Sequence, residues 1–253
     1  MGLFDRPLGD VSKFIEGKSP KRSWIALPGR NSWPPGGNRN VVLGSDVGLE
    51  LGNPTMLSVS FSMWTEDIGA IEDSRITLIG PDMAESMGKS LPFGKVVIVG
   101  GKGFNADNSY DRYRDMDSIK YDIDLKGYML RGVSQYRREW CRVSKDALRK
   151  GFSFDVLGRA LIDKFKQKDF VDAVEIIFVT SSSDDVSELS VISQYVAMIV
   201  GAMNKMVEEM SLDCSSCEYQ ETCKDILELR KIRRKIADGG RQAPGVMQKT
   251  KGI

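Results

Sequence analysis

Histidine does not occur in this 253-residue sequence. Its absence excludes any Ser-His-Asp or Cys-His nucleophile and every histidine metal ligand, and leaves general acid–base work to Asp, Glu, Lys, Tyr or Cys. Cysteine is scarce: four residues are too few for a disulfide scaffold. A dominant charge is missing as well, because 36 Lys and Arg stand against 35 Asp and Glu, and a net charge of +1 argues against a general polyanion binder. No stretch reads as the roughly 18 apolar residues that a membrane span needs, and the opening MGLFDRPLGD lacks a basic segment followed by an apolar one. These absences predict a soluble, cytoplasmic protein with no membrane partner. The 41% of apolar residues suffice for a large core.

Residues 1–48 hold many of the turn formers, including Pro34, Pro35, Gly36 and Gly37, and read as an irregular basic arm with one short strand near Val41 to Leu43. Between Lys21 and Arg39 this arm has Arg22, Trp24, Arg30 and Trp33 and no acidic residue. Such a composition suits a phosphate and a flat ring, and equally suits a solvated arm pinned to the body by its tryptophans. Residues 49–185 then read as a mixed α+β domain. Leu57 to Met63 alternates apolar and small polar residues with period two; Arg75 to Ile79, Lys95 to Val99 and Val174 to Thr180 supply further strands. A helix is expected over residues 155–168.

From Val186 the pattern changes to helical spacing. Leu189, Ile192, Val196, Ile199, Met203, Met206 and Met210 recur at alternating intervals of three and four, and a second stripe follows at Leu229, Ile232 and Ile236. Residues 186–237 therefore read as a helical hairpin, with core packing as the main role of the 186–210 stripe and a homodimer contact as the alternative. The last segment, 238–253, reads as a disordered tail. From Lys224 onward nine Lys or Arg face three Asp or Glu, but without a recognisable reading element a nucleic-acid partner is not expected.

Three motifs carry chemistry. Gly101, Gly103 and Ala106 satisfy G-x-G-x-x-A after a strand, but Asp122 and Asp124 do not end a second parallel strand, so a tight strand exit is the better reading than a dinucleotide site. Cys214, Cys217 and Cys223 form C-x2-C-x5-C near the bend of the hairpin. Thiolates without histidine suit an iron–sulfur cluster, expected as 4Fe-4S with three ligands from this chain; zinc, or unliganded thiols, are the alternatives. A fourth ligand is open between Cys141, a second chain and an exogenous group. The third motif is the dense set of cations Arg131, Arg137, Arg138, Arg142, Lys145, Arg149 and Lys150 around Trp140, which suits a phosphorylated ligand or a solvated helix face.

Five stretches, Leu49 to Pro54, Arg75 to Asp82, Ser90 to Lys95, Trp140 to Ala147 and Lys150 to Phe154, run in unbroken order through roughly residues 45–210. Together they resemble the synthase (beta) subunit of the carbon monoxide dehydrogenase/acetyl-CoA synthase family. The resemblance implies the middle α+β domain of that subunit, a module that contacts coenzyme A through arginines and a tryptophan. On this chain those contacts would be Arg137, Arg138, Trp140, Arg142 and Lys145. In the family the catalytic domain that follows opens its nickel–iron–sulfur ligands with a C-x2-C pair, and Cys214 and Cys217 fall where that pair would begin. The sequence departs from the family in spacing Cys223 only five residues on, and it contains no Cys-Gly-Cys for a distal nickel. Nickel is therefore not expected, and the chain is not expected to be catalytic alone. The implied role is an iron–sulfur-binding subunit or accessory protein in anaerobic one-carbon metabolism, partnered by dehydrogenase/synthase-type or other redox subunits. A partner-completed CO-methylating synthase and a zinc-stapled adaptor are the alternatives.

Overall fold

A computed structural model of the chain describes residues 2–27, 32–134, 137–208 and 217–239. Its centre is β9, Ala173–Val179, a run of seven residues all buried. Continuous burial needs cover on both faces and neighbours on both edges, and β9 has them. On one edge it pairs antiparallel with β6, Phe93–Gly100, itself buried throughout, and on the other parallel with β4, Arg75–Ile79. Beyond β6 lies β3, Ser58–Thr65, parallel to it; beyond β4 lies β1, Lys21–Ile25, antiparallel and largely exposed. The strand order is β1-β4-β9-β6-β3.

Two helices close the two faces. Ser153 caps α4, Phe154–Phe165, by accepting the Val156 N–H, and Gly158 lets the helix approach Ile76, which a Cβ would meet at 2.7 Å. Leu189 of α5, Ser183–Glu208, lies against Gly94 in the same way, 2.9 Å from where a Cβ would be. Ile76 pairs with Ile176 and Gly94 with Val179, positions three apart on β9, so α4 and α5 cover opposite faces. The rings of Phe93, Phe154 and Phe178 stack between α4 and the sheet at 4.8 to 6.3 Å, each pair adding about 0.5–1.5 kcal/mol to plain burial.

The described residues among the first 48 are more ordered than the irregular arm expected of them. Asp5–Glu16 forms α1, which buries Pro7, Val11 and Phe14 and packs against α5, and residues 21–25 are the edge strand β1. The reason lies in spacing: Val11 and Phe14 recur at helical intervals that the density of turn formers further on obscures. No strand occurs at Val41 to Leu43; there Val41 and Leu43 point outward around a buried Val42, and the strand begins at Val47. Residues 32–40 lie without regular strands along the 124–128 loop. Asp124 accepts the N–H groups of Gly36 and Gly37, Trp33 Nε1 donates to the Lys126 carbonyl, and Asn40 bonds the carbonyls of Leu125 and Tyr128.

A second sheet, in the order β5-β2-β8-β7, is built from Ser90–Leu91, Val47–Leu51, Arg138–Ser144 and Tyr128–Ser134. The β8 strand alternates strictly: Glu139, Cys141 and Val143 are buried, while Arg138, Trp140, Arg142 and Ser144 face out. Its buried side meets the first sheet through an ion pair, Lys95 Nζ to Glu139 Oε2 at 2.7 Å, with the two side chains 7% and 2% exposed. Ser60 donates a further hydrogen bond to the same carboxylate at 2.8 Å. Cys141 sits next to the Tyr128 hydroxyl at 3.2 Å, and burial pushes its thiol up to about 12.

At the C-terminal end, α6, Gln220–Asp225, and α7, Leu227–Gly239, pack against α5 as the hairpin reading expects. Tyr219 reaches α5 at Gly201, where a Cβ would stand 2.7 Å from its hydroxyl. Leu229 and Ile232 are buried, and Glu228 accepts the Leu3 N–H at 2.8 Å, joining α7 to the N-terminus. One helix segment, Ser183–Met206, is long and apolar enough to cross a membrane by length and composition. Here its apolar stripe is used against α1, α2 (Ser109–Ser118) and β3.

Candidate functional site

The outward face of β8 brings together residues from three strands. Arg142 stands opposite Glu50 of β2 and opposite Met129 of β7, and Trp140 stands opposite Gly132. Gly132 puts no side chain there: the nearest indole atom lies 3.9 Å from where a Cβ would be. A register shift between Leu130 and Gly132 sets Arg131 beside it. The Arg131 guanidinium lies 5.4 Å and the Arg142 guanidinium 5.0 Å from the Trp140 ring centroid, so one indole carries two cation–π contacts.

Glu50 orders this group. Its Oε1 accepts from Arg142 Nε at 2.8 Å and from Trp140 Nε1 at 3.3 Å, and its Oε2 accepts from Asn53, which also bonds Ser90. Partial burial works against the charged carboxylate, but the bonds from Asn53, Arg142 and Trp140 and the Arg142 charge outweigh it and hold Glu50 below the usual glutamate range. Arg142 thus spends one N–H on Glu50, while its terminal nitrogens and the whole Arg131 guanidinium make no hydrogen bond to a described residue. Those donors form a planar fork suited to a phosphate, beside an aromatic face suited to a purine.

The five coenzyme contacts expected from the sequence do not stay together. Trp140 and Arg142 form the stack just described. Arg138 shares their face, but its guanidinium is engaged by the Met56 and Asn53 carbonyls at 2.6 and 3.3 Å. Arg137 turns the other way, at a left-handed φ of 56°, and lies over the Tyr113 ring. Its Nη1 is buried without a hydrogen-bond partner among the described residues. Lys145 begins a short helix, α3, Lys145–Arg149, and lines a separate cleft with Trp33. Glu50 was missed in the sequence; the signal was its period-two position in Val47–Leu51, whose meaning depends on which strand pairs with β2.

The cysteines are only partly described. Cys217 is half-buried at the turn before α6, Cys223 is buried on α6, and Cys214 lies outside the described residues. Among the described residues no three His, Cys, Asp or Glu side chains converge as a metal-ligand set. Cys141, one of the fourth ligands considered, faces the interior of the second sheet, where its raised pKa disfavours a thiolate. At the glycine motif, a Cβ on Gly101 would stand 2.0 Å from the Phe170 carbonyl, and Gly103 has a φ of 76°. Backbone packing and turn geometry therefore account for both glycines.

Comparison with known proteins places the match on this same region. The family model described as CO dehydrogenase/acetyl-CoA synthase complex beta subunit matches residues 40–186. The acetyl-CoA decarbonylase/synthase complex subunit beta 1 of Methanosarcina mazei is 32% identical over 139 residues, 54% of this chain and 28% of that protein. The corresponding beta subunit of Archaeoglobus fulgidus is 28% identical over 139 residues, covering 53% of this chain and 25% of its own length. The carbon monoxide dehydrogenase/acetyl-CoA synthase subunit alpha of Moorella thermoacetica is 36% identical over 117 residues, 46% of this chain and 15% of that protein. The chain thus spans about a quarter of the length of the beta subunits it matches.

Proposed function

The chain belongs to the CO dehydrogenase/acetyl-CoA synthase complex beta subunit family, and from that premise we propose that it is a coenzyme A-binding, iron–sulfur-carrying subunit of an acetyl-CoA synthase-type complex in anaerobic one-carbon metabolism. The observation that carries the coenzyme half is the Arg131–Trp140–Arg142 stack held by Glu50, inside the matched residues. The indole receives the adenine ring, and the guanidinium donors left over by Glu50 and Trp140 receive phosphate oxygens. Arg138 braces the loop at Asn53 and Met56, and with it the carboxylate clamp, without itself offering a ligand contact. When bound, coenzyme A supplies a thiol that takes up or gives off an acyl group. The chain's own part is to bind and orient it. Its partners on this reading are the dehydrogenase-type subunits named in its relatives' complexes.

The metal half rests on the C-x2-C-x5-C spacing and on the placement of Cys217 and Cys223 at one turn against α5. Cys214, Cys217 and Cys223 would hold the cluster, which supplies one-electron transfer. Five Lys or Arg between Arg230 and Lys235 on α7 would favour its negative charge.

Calorimetric titration with coenzyme A tests the first half. Wild-type protein should bind it, and Trp140→Ala should weaken binding about tenfold, the worth of a stacked base. Equal affinity in the two proteins removes the sheet face as the site. Metal and acid-labile sulfide analysis on protein purified without oxygen tests the second: about four iron and four sulfide support a cluster, whereas zinc reduces the cysteines to a structural clasp.

A further inference from the structure

A cleft of about 480 Å³ opens at the C-terminal end of β8, between the N-terminal arm and α3. One wall is the 32–40 segment, fixed by Trp33, Asn40 and the Asp124 bonds to Gly36 and Gly37. The other is the Ser144–Lys150 turn, where the Ser144 hydroxyl caps α3 by accepting the Ala147 N–H. The walls come close because Gly127, at a φ of 80°, leaves no side chain at the floor; a Cβ there would stand 2.5 Å from the Ser144 hydroxyl.

Four cations line this cleft, Lys126, Lys145, Arg149 and Lys150, against two carboxylates, Asp46 and Asp146. Lys150 pairs with Asp146 at 2.7 Å, and Lys145 donates to the Ser45 carbonyl at 2.9 Å. Lys126 and Arg149 make no ion pair among the described residues. Their charges reach the same spot: Asp146 is held low first by its bond to Lys150, then by the Lys150, Lys126 and Arg149 charges together. Three cations from two separate chain segments therefore converge on one mouth, with a surplus of two positive charges over the cleft. Such a surplus on a preformed wall costs self-repulsion that a bound anion would relieve.

We propose that this cleft is an anion site of its own, separate from the tryptophan stack, that takes a pyrophosphate or phosphate-ester group between Lys126, Arg149 and Lys150. Arg149 offers the planar fork and the two lysines offer point charges. The exposed Val41 gives the rest of such a ligand an apolar surface. This site does not depend on the coenzyme reading. A free phosphate compound and the phosphates of a larger cofactor share the chemistry, and two probes separate them.

The test is titration of the full chain with inorganic pyrophosphate and, separately, with adenosine 3′,5′-bisphosphate, at low ionic strength. The double variant Lys126→Ala/Arg149→Ala, both surface residues, should lose about tenfold or more in pyrophosphate affinity. Lys89→Ala/Lys102→Ala, which removes the same charge elsewhere, and Trp140→Ala should leave it unchanged. Tighter binding of the bisphosphate than of pyrophosphate, lost in the same cleft variant, assigns the site to a nucleotide ligand; equal or weaker binding assigns it to the free anion. No binding of either probe by the wild type, or equal losses in the cleft and the control variants, overturns the proposal. Failure of coenzyme A to bind, with pyrophosphate binding intact, would remove the tryptophan-stack reading and leave this one standing.

Discussion

Two carboxylate–cation pairs face opposite sides of β8. On the inner side Glu139 meets Lys95 with both side chains sealed from solvent; on the outer side Glu50 meets Arg142 with both about one-fifth exposed. The inner carboxylate is fully engaged, by Lys95 on both oxygens and by Ser60 on one. The outer pair leaves most of its arginine unspent. The difference teaches that residue type says little about role here. Arg142 and Glu139 are three positions apart on one strand, and the pleat alone makes one a binding group and the other a bolt between two sheets.

Breaking the inner pair should have the largest effect. Lys95→Met strands a buried carboxylate and should cost about 3–5 kcal/mol, read as a shift of the chemical denaturation midpoint. The double variant Lys95→Met/Glu139→Leu should recover most of that loss. A single variant as stable as wild type would mean that Glu139 is not sealed as described. On the outer side the order of effects reverses: Arg142→Ala should cost at most about 1 kcal/mol of stability while weakening coenzyme A about tenfold, as the loss of a charge-assisted phosphate contact. A large stability loss with unchanged affinity would make the outer pair another structural bolt.

Acid sharpens the contrast. Glu50 and Asp73 are both held below their ordinary range: burial alone would raise each, and the hydrogen bonds and nearby cations that overcome it come mainly from Asn53 and Arg142 in one case, and from Lys166 and the Val174 N–H in the other. A carboxyl group with a lowered folded pKa adds stability that is complete above its unfolded value and fades as pH falls through the folded one. The melting temperature should therefore drop below about pH 4, and Glu50→Gln should make that drop shallower. The smallest effect concerns Cys141. With its thiol pushed up to about 12 and fully buried, it should resist alkylation in native protein at neutral pH and react on unfolding, measured by mass spectrometry. Rapid native labelling of Cys141 would show that the second sheet opens.

Much of the fold was legible because its central strands are long apolar runs. Arg75–Ile79 is the observed β4 to the residue, and the expected Val174 to Thr180 is displaced by one from β9. The 186–210 stripe is α5 as far as Glu208, because a three-four spacing admits no other regular structure; Met210 lies outside the described residues. The candidate site was half legible. A cluster of cations about a tryptophan stood out, but whether Arg137 joins Arg138 depended on a left-handed turn, and whether Lys145 joins Arg142 depended on where the strand gives way to α3. Short-range charge density carries no sign of which face a residue takes once a turn intervenes. Helix α1 was hidden by its neighbours, since the proline and glycine density of residues 20–40 lowered the reading of the segment before it.

By itself, the sequence determined the absence of histidine chemistry, the α+β class, the helical stripe with its cysteine spacing and the likeness to a synthase subunit. All of these rest on residue identity and on periods of two or 3.6, which are local. Only the tertiary structure decided that Glu50 clamps Arg142, that Gly132 stands opposite Trp140, and that Lys126 meets Arg149 and Lys150 across a cleft. Those pairings join residues from 8 to 92 positions apart. They follow from strand register and from the order in which sheets close, and neither is written in any one segment of the chain.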